Sequence, residues 1–191
     1  DTTFGNAGLA TIDFDHGTGS DQADGVALQS DGSIVVAGTT RGTESGSEAF
    51  AVARLTQGGT LDASFGAGTG QSTLEFSDGT GNDQAYAVAV QPDDRIIIAG
   101  STGSPAGTDV AVVRLMQDGS PDMGFGDAGR VTFAFGLPGA TAEADNANGV
   151  AIDAEGRIVV AGTANESAPN NEIRFGVARL LGVFRMHYRI R

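Results

Sequence analysis

Cysteine, lysine and tryptophan are absent from this 191-residue chain, and histidine occurs only twice, at His16 and His187. Without cysteine there is no disulfide, thiolate metal site or thiol nucleophile, and without lysine no Schiff base or Ser-Lys dyad. No stretch reaches the roughly 18 consecutive apolar residues of a membrane-spanning helix. The opening DTTFGNAGLA has neither the basic start nor the apolar run of a signal peptide. Positive charge is scarce as well: eleven arginines face 24 carboxylates, for a net charge of −13. That balance opposes nucleic acid and anionic membranes as partners, because both are repelled over most of the surface. The signatures G-x-S-x-G, H-E-x-x-H and the P-loop are missing too.

What the chain has is glycine, 30 residues of it, with 40% hydrophobic and only 6% aromatic residues. This balance suits many short strands divided by tight turns, an all-β protein. One stretch recurs three times: DQADGVALQSDGSIVVAG from Asp21, DQAYAVAVQPDDRIIIAG from Asp83 and DNANGVAIDAEGRIVVAG from Asp145, offset by 62 residues each time. Each copy is two apolar runs joined by an acidic turn, the pattern of a β-hairpin. The first run (strand a) is nearly all small or β-branched, as for a strand buried on both faces. The turn puts Gly32, Asp94 and Gly156 at its third position, residues that tolerate positive φ. Strand b follows as IVVAGT, IIIAGS and IVVAGT.

Two more elements share the period. Strand c reads FAVARL from Phe50, VAVVRL from Val110 and FGVARL from Phe175. Strand d follows a D-x-x-F-G turn at Asp1–Gly5, Asp62–Gly66 and Asp122–Gly126, reading LATIDF, STLEF and VTFAF. Four-stranded antiparallel units at a fixed period predict a β-propeller. Its repeats span about 1–61, 62–121 and 122–180, and residues 181–191 form a non-repeat basic tail.

The pattern D-x-x-F-G, then V-A-h-q-x-D-G-x-I-V-V-A-G-T, then F-A-V-A-R-L resembles the bacterial delta-60 repeat family of β-propellers, with a looser likeness to NHL repeats. The resemblance covers Asp1 to Leu180 and implies a fold without an activity or a site. Asp94 in place of the turn glycine and Gly176 within strand c depart from the pattern.

Propeller blades run a to d from axis to rim, whereas this chain runs d-abc three times. It therefore opens on a rim strand without a blade and closes on a blade without a rim strand. Rings hold four to eight blades, so three blades per chain lead to a homodimer closed as a six-bladed ring, which also hides both sheet edges. A piece of a larger propeller is the rival expectation. In the tail LLGVFRMHYRIR, Phe184, Met186, Tyr188 and Ile190 alternate with Arg185, His187, Arg189 and Arg191. That alternation fits either a frayed end or an extra strand seeking an acidic edge.

Candidate residues fall into three groups. Arg54, Arg114 and Arg179 hold one position of strand c, where a guanidinium half-buried between blades needs a carboxylate. Asp21, Asp83 and Asp145, or Asp1, Asp62 and Asp122, supply it, and the role is structural. A Ser-His-Asp hydrolase would have to recruit His16 or His187, for instance His16 beside Asp13 or Asp15 with Ser20. Asp13, Asp15, Asp78 and Asp83 sit in acidic d–a loops that suit calcium by ligand type but not by EF-hand spacing, so the expectation is no metal and no cofactor.

Three functional expectations follow. The first is a β-propeller binding or scaffold module holding a protein, glycan or small ligand at its ring face or central channel. The second is an esterase- or glycosidase-type hydrolase at the channel mouth; the third is a structural repeat of a larger surface protein. An extracellular or cell-surface bacterial location is expected, with no nucleic-acid partner and no membrane insertion.

Overall fold

A computed structural model describes residues 1–14, 19–41, 47–76, 82–104, 107–135, 144–166 and 172–181. Their eleven strands form three antiparallel sheets. The first is β1 (Ser20–Leu28), β2 (Ile34–Arg41), β3 (Glu48–Leu55) and β4 (Gln71–Leu74). The second is β5 (Asp83–Val90), β6 (Ile96–Ser104), β7 (Gly107–Leu115) and β8 (Arg130–Phe133). The third has β9 (Asn146–Ile152), β10 (Ile158–Glu166) and β11 (Glu172–Leu180). Each sheet is ordered as the chain runs, so strand d of one repeat closes the blade of the repeat before it.

Local chemistry explains the hairpins. Gly32, Asp94 and Gly156 take φ of 83°, 61° and 77° at the a–b turns. The turns close with Gly32 N donating to Gln29 O at 3.0 Å, Asp94 N to Gln91 O at 2.9 Å and Gly156 N to Asp153 O at 2.9 Å. Strand a carries a bulge in each blade: pairing with strand b skips Asp24, Tyr86 and Asn148. The bulge drives the strand-a backbone toward its neighbour. A Cβ at Gly38, Gly100 or Gly162 would lie 1.9, 1.9 or 1.8 Å from the carbonyl oxygen of Gln22, Gln84 or Asn146. The glycine of each IVVAG or IIIAG run is thus required by close backbone approach.

The core lies between blades. Val35, Phe50 and Val52 of the first meet Ala85, Ile96, Ile98 and Val113 of the second, with Phe65 and Leu74 above them. Ile97, Val110 and Val112 of the second meet Ala147, Ile158 and Val160 of the third beneath Phe125. Full burial of each such side chain contributes on the order of 1.5–3 kcal/mol, so the blade interfaces dominate stability.

Two expectations change. In the first blade strand c, not strand a, is the most enclosed: all of β3 beyond Glu48 is buried, whereas β1 is exposed or half-buried throughout. Strand a ends its sheet, with a hydrogen-bonded neighbour on one side only. The opening LATIDF run is not a strand but an extended segment with one bridge, Asn6 to Leu9, because no strand c lies beside it to pair with. Of the tail, Leu181 is described and exposed; residues 182–191, including His187, lie outside the described residues.

Gly100→Ala is expected to cost about 3 kcal/mol in urea unfolding, since the strand-a backbone has no room to give. Gly149→Ala, where nothing lies within 4 Å of the added carbon, serves as the control and should cost less than about 1 kcal/mol.

Candidate functional site

The repeated arginine is the centre of a clamp. Arg54 lies near the end of β3, and the chain returns through a tight turn to Asp62-Ala-Ser64-Phe65-Gly66. Asp62 accepts from Ser64 N (2.9 Å) and Ser64 Oγ (2.8 Å) through Oδ1, and from Arg54 Nε (2.9 Å) through Oδ2. Arg54 also donates to Ser64 Oγ at 2.6 Å and to the carbonyl of Gln117 in the next blade. Its guanidinium carbon stands 5.0 Å from the centroid of the Phe65 ring, close enough for a cation–π attraction. The second blade repeats this: Arg114 Nε donates to Asp122 Oδ2 at 2.9 Å, Gly124 N to Asp122 Oδ1 at 2.9 Å, and Arg114 stands 4.7 Å over Phe125. Arg95 joins Asp122 at 3.0 Å.

The clamped turn is pressed onto its neighbour. Gly66 N donates to Asp118 O at 3.0 Å, and a Cβ on Gly119 would lie 2.7 Å from the Phe65 ring. At the start of the chain, Gly5 N donates to Gly58 O at 2.8 Å, and a Cβ on Gly59 would lie 2.9 Å from the Phe4 ring. A second tie runs between a–b turns, where Gln29 Nε2 donates to Asp94 O and Gln91 Nε2 to Gly156 O, both at 2.9 Å. Ser30 N adds a 2.8 Å bond to the Asp94 carboxylate, so the residue that departs from the turn glycine gains a partner across the blade boundary. Asp153 takes the glutamine's place in the third blade and turns back onto Arg157 at 2.6 Å.

The carboxylates at the start of strand a do not serve the arginines. Asp21, Asp83 and Asp145 each accept the backbone N–H of the phenylalanine after strand d: Phe14 at 2.9 Å, Phe76 at 2.7 Å and Phe135 at 2.6 Å. They fix the d–a corner, while Asp62 and Asp122 carry the arginine pairing. Arg179 differs from its two counterparts: it is exposed, and among the described residues no carboxylate pairs with it.

Of the hydrolase set, Ser20 begins β1 and is exposed, while His16 and Asp15 lie outside the described residues. Of the calcium set, Asp15 and Asp78 also lie outside; the Asp13 carbonyl accepts from Gln71, and Asp83 is committed to Phe76. No group of three metal-ligating side chains is found among the described residues.

The clamp borders a polar cleft of about 510 Å³, lined by Asp31, Arg54, Asp62, Ser64, Gln117 and Asp118 among others. Its three aspartates are held below their ordinary value. For Asp31 the main cause is the Ser33 amide, for Asp62 the Ser64 amide and for Asp118 the Ser120 hydroxyl, with Arg54 adding attraction to all three. Anchored, ionised carboxylates are poor proton donors near neutral pH, so the aspartates of this cleft serve as hydrogen-bond acceptors rather than general acids.

The repeats match a family model described as the domain of unknown function (DUF5122) beta-propeller, over residues 29–65, 91–125 and 154–182. Together these segments cover more than half of the chain. The chain belongs to the DUF5122 beta-propeller family. Each of the first two matched segments runs from the a–b turn to the clamp phenylalanine, Phe65 or Phe125, so the DUF5122 unit contains the whole Arg-Asp-Phe module. Comparison with curated proteins finds no match.

Sequence reasoning missed the clamp's phenylalanine and its receiving glycine as partners. The signal was there in spacing: Phe4 lies 55 residues before Gly59 and Phe65 lies 54 before Gly119, each glycine the second of a G-G or D-G pair.

An aspartate whose folded pKa is depressed adds stability above its ordinary value of 3.8 and surrenders it as pH falls through the lower folded value. Asp62→Asn should therefore lower stability at pH 7 by about 1–3 kcal/mol. In thermal melts the gap to the parent chain should narrow from about pH 4 downward; a gap unchanged to about pH 2.5 contradicts the assignment.

Proposed function

We propose that this chain is a non-enzymatic β-propeller scaffold or binding module, closed as a six-bladed ring by two copies. The carrying observation is the use of its polar side chains. The arginine of the first two blades, the aspartates of every d–a corner and the glutamines of the first two blades are all engaged in holding strands and blades together. A catalytic site needs a group singled out from this repetition, with a perturbed pKa directed at a cavity. Every resolved shift here is a lowered aspartate pKa explained by local hydrogen bonding.

The surface offered to a ligand is the ring face formed by the a–b and c–d turns, where the acidic cleft around Arg54 lies. Its carboxylates suit a protein, glycan or small ligand rich in hydrogen-bond donors, and its charge disfavours a polyanion.

Light scattering across protein concentration tests the assembly. The expected mass is twice the 19.2 kDa of one chain, stable on dilution. A mass of one chain at every concentration contradicts it.

A further inference from the structure

The two ends of the blade stack carry complementary halves of one interface. At the β11 end, Phe175 is 99% exposed and Val177 68%. The residues in the same place in the other blades, Phe50 and Val52 or Val110 and Val112, are fully buried against the following blade. At the β1 end, Ile34, Val36, Ala51, Ala53 and Leu55 line a cleft of about 310 Å³ together with Phe4 and Ile12. Their counterparts in the second blade are Ile96, Ile98, Ala111, Val113 and Leu115, with Phe65 and Leu74. Those are the residues that enclose Phe50 and Val52. By equivalence, the cleft is shaped for Phe175 and Val177.

The polar halves match as well. Arg179 has no carboxylate partner among the described residues, whereas Arg54 and Arg114 have Asp62 and Asp122. Asp1 already forms the turn its counterparts form, accepting Thr3 N at 2.9 Å and Thr3 Oγ at 2.6 Å through Oδ1. Its Oδ2, the atom that takes the arginine in the other two turns, has no protein partner among the described contacts. The segment that follows is pinned to its own blade at both ends, by Gly5 N to Gly58 O and by Phe14 N to Asp21. Between those pins it has no strand to pair with.

We propose that β11 receives residues Leu9–Ile12 of a second copy as its fourth strand, with Asp1 and Phe4 of that copy closing the clamp on Arg179. The proposal rests on the two-copy ring and names the contact that closes it. The register follows from Phe50–Leu74 and Ala53–Gln71 in the first blade, and from Val110–Phe133 and Val113–Arg130 in the second. It places Phe175 opposite Ile12, Gly176 opposite Thr11, Val177 opposite Ala10 and Ala178 opposite Leu9. Each three-blade unit supplies one donor end and one acceptor end, so two copies satisfy each other. The glutamine tie between a–b turns is not reproduced there, because Asp153 replaces it; apolar packing and the clamp carry the junction.

The test uses the chain's lack of cysteine. Leu9→Cys and Ala178→Cys are introduced together, neither position being fully buried, and the protein is oxidised mildly and run on a denaturing gel without reductant. The expected product is a covalent dimer, absent from either single variant, with circular dichroism unchanged. Arg179→Asp is expected to raise the dimer dissociation constant by about tenfold or more while leaving the monomer folded. A two-chain mass without cross-linking overturns the strand donation and leaves the ring standing. A one-chain mass overturns both, and a cross-link confined within one chain overturns the second copy as the donor.

Discussion

A single guanidinium decides how one blade meets the next. Arg54 grips the aspartate of the turn that follows it, lies over the phenylalanine of that turn and reaches the Gln117 carbonyl in the neighbouring blade. With the turn held, Phe65 can lie flat beneath Gly119 and seal the apolar layer formed by Val35, Phe50, Ile96 and Ile98. A buried arginine such as Arg54 without its carboxylate would leave an uncompensated charge beside this layer. The ion pair, the ring and the glycine are therefore one device, and the sheets depend on it because no blade buries both of its own faces.

The same device engages much of the repeated polar chemistry among the described residues. Propeller sites draw on loops that vary from blade to blade, yet here the described polar groups repeat in kind and in partner. Asp21, Asp83 and Asp145 each hold a phenylalanine amide, and the arginines of the first two blades each hold a turn. Differences gather at the ends: Arg179 is exposed where its counterparts are paired, and Asp153 replaces a glutamine. Among the described residues, then, these departures from the repeat both lie in the third blade, at Arg179 and Asp153.

Much of the architecture was legible in the sequence because it rests on local rules. The acidic turns with Gly32, Asp94 and Gly156 announced the hairpins, and the d-abc phase anticipated a third sheet that stops at β11. The bulges at Asp24, Tyr86 and Asn148 were not legible, since a skipped residue leaves no mark on an apolar run; only the glycine opposite, in IVVAG or IIIAG, records it. The pairing of arginine with Asp62 rather than Asp21 was equally hidden. Both carboxylates recur at the same period, and only the fold of the intervening turn separates them. Strand a looked doubly buried because its residues are small and apolar, but its place at the end of each sheet overrides composition.

The clamp is tested most directly by a double-mutant cycle on Arg114→Met and Asp122→Asn, read from urea unfolding of the two single variants and the pair. If the charge and its carboxylate act as one unit, each single change is strongly destabilising. The pair should then cost less than the sum by about 1–3 kcal/mol. Additive losses, within about 0.5 kcal/mol, would mean that the arginine and the aspartate stabilise the blades independently and that the clamp is not the element on which the stack depends.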